Sequence, residues 1–526
     1  MTCQYVLRVA VSLVTLLLVA AAVPAMAQVA EESVPLIMVK PQGASFSGPS
    51  LRKLYAALQK RAGKATSQVL PLTKTEVWTV PKARVDDVRK AAARRGVIMS
   101  ALGATWNQIF RKASPDTKMN DQQKSMVDKA KASRATMGVD IMTTPAAPMI
   151  EYALTKDIGT QDPKSAPKIT VALSDATVLT IHRTGVDVRS ELCVWRGIVE
   201  TTGAPATVMW WPGGRMTGTV EHQGRIYSIR HMGGPLHAVI EMDEDKMPPE
   251  HAAMTPRMRR DDPNLRDDPL VRQGDASMLK HPVSAPMHPS AAKPRAAGVQ
   301  GGSSASDEIV IDVIVAYTRK AASNYTDVKR ELVDLSIEEA NDSFHRSGIG
   351  QVKLHLVHAY QTDYVEEGSH FDHVWRFADK GDGYMDEIHP LRDKYKADVA
   401  VLIVDDPQGC GLATRVFADA DEAFAVVHHE CAATTYSLAH EVGHLIGARH
   451  DLKLDNIMTP FPYGHGYVNG TKWRDIMSYK ESCGGCPRLP VWSSPLVKVK
   501  GEPAGTPELD NARVIAEHAA RVAAFR

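Results

Sequence analysis

The chain has 526 residues, 44% of them hydrophobic and 23% charged, with 62 Lys and Arg against 61 Asp and Glu. That length and apolar content suit two or three domains with real cores. A net charge of +1 leaves no reason to invoke nucleic acid or an anionic membrane as a partner.

The N-terminus reads as an export signal over residues 1–27: Arg8, an apolar run from Val9 to Val23, and Ala25-Met26-Ala27 before Gln28. No later stretch has the roughly 18 consecutive apolar residues of a membrane span. The expectation is a soluble protein, secreted or periplasmic.

Residues 28 to about 150 show short helical patterns, at Leu51 to Lys64 and Val85 to Arg95, and no catalytic signature. Between 168 and 243 the pattern turns to β-branched and alternating runs, such as Ile169-Thr170-Val171-Ala172-Leu173 and Thr207-Val208-Met209-Trp210-Trp211, which predict a small antiparallel β domain. Residues 245–306 are rich in Pro, Ala, Ser, Arg and Asp and read as a linker. Within it, Arg257-Met258-Arg259-Arg260 offers basic sites for proteolytic processing.

Segment 307–526 alternates strands and helices and predicts an α/β fold with a mixed sheet. Strands are expected at Ile309 to Tyr317, Val352 to His358, Ala397 to Val404 and Ala423 to His428. Helices are expected from Asp327 to His345, Tyr384 to Tyr395 and Glu508 to Phe525. Asp379, Asp382 and Asp386 lack a full calcium-loop pattern, so Asp382 is read as a helix cap.

The densest chemistry lies in His440-Glu441-Val442-Gly443-His444-Leu445-Ile446-Gly447-Ala448-Arg449-His450. On a helix, His440 and His444 share one face and converge on one ion. Gly447 lets the chain leave the helix so that His450 returns as a third ligand. Three protein ligands leave a fourth position for water, which marks a catalytic rather than a structural zinc site. Three neutral imidazoles keep the ion's charge at +2, which lowers the pKa of its water from about 15.7 toward about 7. Glu441 is placed as the base that takes the water proton. Protein or peptide substrates follow, and an extended chain could pair with Ala423 to His428 if that strand is the sheet edge. A propeptide that inhibits the site is the natural reading of 28–244, with maturation in the 245–306 linker.

Five cysteines lie beyond the signal. Cys410, Cys431, Cys483 and Cys486 flank the motif, and in an oxidising compartment they form two bridges. Nearness in sequence favours Cys410 with Cys431 and Cys483 with Cys486, while Cys483-Gly484-Gly485-Cys486 has a redox pair as its alternative. Cys193, in Leu192-Cys193-Val194-Trp195, is either a thiolate that fills the open zinc position or a small buried hydrophobe.

The extended motif, with Asp451 after the third histidine, resembles metzincin zinc endopeptidases, whose fold places a methionine turn beneath the metal. Arg474-Asp475-Ile476-Met477-Ser478-Tyr479 looks like that turn, with Asn456-Ile457-Met458-Thr459-Pro460 as the alternative. Tyr463-Gly464-His465-Gly466-Tyr467, Trp473-Arg474, Cys410-Gly411 and Phe424-Ala425-Val426-Val427 are similar to the bacterial peptidyl-aspartate metalloendopeptidase family and favour Met477. The resemblance implies Tyr479 beside the metal or the oxyanion, and cleavage on the N-terminal side of Asp. Such specificity needs a cation for the residue after the cut; Arg474 ranks first, then Lys472, with Arg415 and Arg449 as further options. A competing function is a secreted binding protein whose metal site is vestigial.

Overall fold

The computed structural model describes residues 33–39, 48–63, 65–102, 107–159, 167–249 and 308–526. The expected signal (1–27), the basic sites at 257–260 and nearly all of the 245–306 linker lie outside them. Among the described residues no helix is long and apolar enough to cross a membrane.

Two compact units are present. In the first, a sheet runs in the order Thr66–Val69, Glu76–Pro81, Ser33–Val39, Ile98–Ala101, beside helices Gly48–Ala62 and Val85–Ala93. Leu36, Leu58, Trp78 and Val88 fill its core. The sequence shows these helices but not the strands: Glu76–Pro81 is buried on both faces, so it carries no two-residue alternation to read.

The second unit contains a nine-stranded antiparallel sheet and the C-terminal α/β part. The sheet is larger than the expected 168–243 domain, because Arg111–Lys112 and Thr136–Thr143 extend it beyond Leu236–Asp243. Cys193 lies in its core with Trp195 and Trp210, and burial pushes the thiol up to about 12. It is a buried hydrophobe and not a metal-filling thiolate.

In the α/β part, five strands are ordered Val352–Thr362, Ile309–Thr318, Val399–Val404, Phe424–His428, Gly411–Ala413. The first four are parallel and the last is antiparallel. Alternate side chains leave the sheet on opposite faces. Val313, Val401 and Val427 meet helices Asp334–Arg346, Ser437–Ile446 and Asn511–Val522, whereas Ile314, Leu402 and Val426 meet His370–Ala378 and Ile388–Tyr395. Val194 and Met209 of the nine-stranded sheet, and Trp211 just after strand Pro205–Trp210, join the first of these cores.

Three expectations change. Phe424–His428 is an inner strand, and the edge is Gly411–Ala413, too short for its pattern to stand out in sequence. The helix expected from Tyr384 begins at Ile388, because Asp386 holds the amides of Gly381 and Gly383 and Asp382 holds that of Tyr384. Asp382 therefore braces a loop and caps no helix. Helix His370–Ala378 was not foreseen, although Ser369 and Asp372 form a capping box at its start.

Candidate active site

Helix Ser437–Ile446 is buried along its whole length, so its polar residues must find partners inside the protein. It ends at Gly447, whose φ of +136° is closed to most side chains. An added Cβ there would stand 2.8 Å from Phe461. Residues 449–450 then run against 464–466: the Arg449 amide donates to Gly464 O at 2.9 Å and the Gly466 amide to Arg449 O at 3.0 Å. Asn511 holds the same carbonyl at 3.0 Å, and His465 Nδ1 lies 2.9 Å from His450 O.

This return brings His450 Nε2 to 2.9 Å from His444 Nε2 and 3.2 Å from His440 Nε2. His440 Nδ1 donates to Ile476 O at 2.9 Å, and His444 Nδ1 to Ala448 O at 2.8 Å. A neutral imidazole that donates through Nδ1 has its lone pair on Nε2. The Nε2 lone pairs of His440 and His444 therefore face the same point beside His450 Nε2, where a cation can take all three nitrogens. Nitrogens on a tetrahedral zinc at about 2.0–2.1 Å would stand about 3.3 Å apart, close to the spacing found. The three histidines fit a metal ion.

Around that point, Tyr479 crosses the His450 ring edge-on, and its hydroxyl is 3.3 Å from His450 Nε2. The Tyr479 amide donates to Asp451 Oδ2, and Ser482 to Asp451 Oδ1, so Asp451 ties the third histidine's segment to the turn after Met477. Met477 and Trp492 lie against the helix at Gly443, where a Cβ would stand 2.4 Å from Trp492 and 3.5 Å from Met477 Sδ. Met477 is fully buried; Met458 is half exposed and takes no part in this floor. Gly411, on the edge strand, passes over Glu441 so closely that a Cβ would stand 2.5 Å from Oε1.

The candidate cations separate clearly. Arg474 is buried: its Nε donates to Ser478 O at 3.1 Å, its Nη1 to Cys486 O, and its Nη2 to the Glu244 carboxylate. Lys472, by contrast, is exposed and pairs with Glu502. Arg449 clamps the loop after the helix through Thr459 O and the Asp455 carboxylate, and Arg415 pairs with Glu422. Arg488, overlooked in the sequence, is buried beside the same turn and donates to Thr435 O and Ser478 O. No local pattern distinguishes it from a solvated arginine. Cysteines 410 and 431 are joined, as are 483 and 486.

A second cluster, Asp405, His428 and His429, has ligand-like spacing. There the Glu430 amide donates to His428 Nδ1 at 3.2 Å, which leaves the proton on Nε2, facing Asp405. Burial acts to raise Asp405, but the hydrogen bonds from His428 and His429 hold it well below the usual carboxylate range. It is a hydrogen-bonded group of side chains.

The sequence matches agree with the geometry. The family model described as Metallo-peptidase family M12 (Reprolysin_5) matches residues 307–493. Over 316 residues the chain is 37% identical to a peptidyl-Asp metalloendopeptidase of Xanthomonas campestris pv. campestris, covering 60% of this chain and 68% of that one. A peptidyl-Asp metalloendopeptidase of Stenotrophomonas maltophilia is 35% identical over 319 residues, with 60% and 69% covered. Among solved structures, metalloproteinase-II of Bacteroides fragilis aligns with 62% of this chain and 88% of its own at 12% identity and a TM-score of 0.34. A histidine triad on an α/β scaffold, together with these sequence matches, defines a zinc metalloendopeptidase. More particularly, the chain belongs to the peptidyl-Asp metalloendopeptidase family.

Proposed function

We propose that this protein is exported as a zymogen and, once matured, cuts peptide bonds on the N-terminal side of Asp. The observation that carries the chemistry is the convergence of the three Nε2 atoms, with the Nδ1 atoms of His440 and His444 tied to backbone carbonyls. Zinc held by His440, His444 and His450 would supply an acidified water and a Lewis acid for the scissile carbonyl. Glu441 would be the base that takes a proton from the attacking water and the acid that returns it to the leaving amine. Tyr479 donates its hydroxyl to the oxyanion as charge develops. Met477 is the apolar floor of the turn that holds Tyr479.

An extended substrate adds to the edge strand Gly411–Ala413, where backbone pairing accepts many sequences. Selection of Asp then falls to Arg474, whose guanidinium already engages a carboxylate in this structure. The names of the two relatives support that preference. Residues 28–244 act as propeptide and inhibitor, 245–306 carry the maturation site and 307–526 form the catalytic domain. Export is supported by the signal-like N-terminus and by two disulfides, which suit an oxidising compartment.

The test is digestion of a denatured protein by the purified, zinc-loaded chain, with cut sites mapped by mass spectrometry. Cuts should fall before Asp and vanish with chelator or in Glu441→Gln. Cleavage that survives either control removes the metallopeptidase mechanism, and cuts without regard to Asp remove the specificity.

A further inference from the structure

After strand Leu236–Asp243 the chain makes one short turn, Glu244–Lys246, closed by the Asp243 carboxylate on the Asp245 amide. Two acidic residues thereby meet two basic ones. Glu244 Oε1 accepts from Arg474 Nη2 at 2.5 Å, the Asp245 carboxylate lies 3.5 Å from Lys480 Nζ, and the same Nζ reaches Glu244 O at 3.5 Å. Three residues past the turn, Pro249 O accepts from the Cys410 amide at 2.8 Å.

Each anchoring point adjoins a residue that touches the site. Lys480 follows Tyr479, whose hydroxyl is 3.3 Å from His450 Nε2, and Cys410 precedes Gly411, which passes over Glu441. Residues 244–249 therefore run from Arg474 and Lys480 to the start of the edge strand, the two features that the proposed function assigns to the substrate. Arg474 is positioned for a carboxylate independently of Glu244, because Nε and Nη1 are held by the carbonyls of Ser478 and Cys486 while Nη2 points to the acid. Its side chain is 1% exposed and that of Glu244 is 19% exposed, so the pair is largely shielded from water, where a carboxylate and a guanidinium attract most strongly.

We infer that Glu244 is a built-in competitor for the substrate's Asp. The inference rests on the reading that Arg474 selects Asp, and it adds that the N-terminal region keeps the enzyme latent by placing its own carboxylate on that same cation. Specificity and latency then share one side chain. Departure of the 244–249 strip frees the guanidinium and the edge strand together.

The test uses the full chain, zinc-loaded and carrying Glu441→Gln so that it does not cut itself, with binding read by fluorescence anisotropy of a labelled peptide. Two peptides are compared, identical except for Asp or Asn at one position. Adding Glu244→Gln should tighten the Asp peptide tenfold or more while moving the Asn peptide by less than threefold, and Glu244→Asp should keep the block. Equal gains for both peptides, or no gain for either, overturn the inference. The underlying reading is checked separately by Arg474→Met in the Glu244→Gln chain. If Asp and Asn peptides already bind alike before Arg474 is changed, or Asp is still preferred afterwards, the assignment of Arg474 fails; if Arg474 alone sets the preference while Glu244 has no effect, only the competitor is lost.

Discussion

Gly411 lies over Glu441 with no room for a methyl group: a Cβ at 411 would stand 2.5 Å from Oε1 and 2.8 Å from Cγ of the glutamate. The edge strand thus limits where the Glu441 carboxylate can sit. In Gly411→Ala either the strand or Glu441 must move, and a shift of about 1 Å in a catalytic group costs about 100-fold in rate. Steady-state kinetics should show kcat lowered by about that factor, with bound zinc, measured by atomic absorption, unchanged.

Gly447 has a different burden, since it decides where His450 arrives. At φ +136°, with Phe461, Phe417 and Val514 within 3.2 Å of an added Cβ, Gly447→Ala is both strained and overpacked. A loss of about 2–4 kcal/mol in unfolding free energy is expected, seen by urea titration. Zinc affinity should fall with it, as the third ligand is displaced; unaltered affinity would show that His450 is not held by this turn.

Zinc should also stabilise the chain, because lone pairs that face one another lose their repulsion when a cation sits between them. At a zinc concentration a thousandfold above the dissociation constant, the gain is about 4 kcal/mol. Chelation should therefore lower Tm by several degrees and zinc should restore it, whereas His444→Ala should show a low Tm insensitive to both treatments.

The Cys410–Cys431 bridge closes a loop with a sequence separation of 21 that includes the edge strand and the inner strand Phe424–His428. Cross-linking a loop of this size is worth about 3 kcal/mol. Replacing both cysteines with serine should cost about that in denaturant titration and should lower activity before global unfolding, since Cys410 adjoins Gly411.

Glu339 contributes stability that is lost as pH rises toward neutrality. Glu339, buried where the nine-stranded sheet meets helix Asp334–Arg346, accepts from Thr219, and burial pushes its carboxyl up to about 7 from an ordinary 4.5. Asp342 raises it further and Arg346 opposes the rise. The folded chain therefore binds a proton that the unfolded chain releases between about pH 4.5 and 7, so unfolding is favoured as pH climbs through that window and the slope flattens above it. The single group accounts for about 3 kcal/mol at most. Thermal melts of the Glu441→Gln chain with and without Glu339→Gln should differ in their pH dependence: between pH 5 and pH 8 the Glu339→Gln chain should lose less stability, or gain more, than its parent.

The metal site was legible because its geometry is mostly local. Four-residue spacing on a helix places His440 and His444 together whatever surrounds them, and a glycine is the residue that lets a helix turn back. The inner parallel strands Val399–Val404 and Phe424–His428 were legible too, since a strand buried on both faces shows as an apolar run. Tertiary structure alone decided which strand is the edge, because Gly411–Ala413 is three residues long and its role depends on which neighbour pairs with it. It also gave Arg474, Lys472, Arg415 and Arg449 different partners, which isolated basic residues do not reveal in sequence. The meeting of Glu244 with Arg474, 230 residues apart, is a product of long-range packing. Sequence by itself determined the chemistry, through spacing that one helix enforces; the fold decided what reaches that chemistry, through contacts that no local pattern encodes.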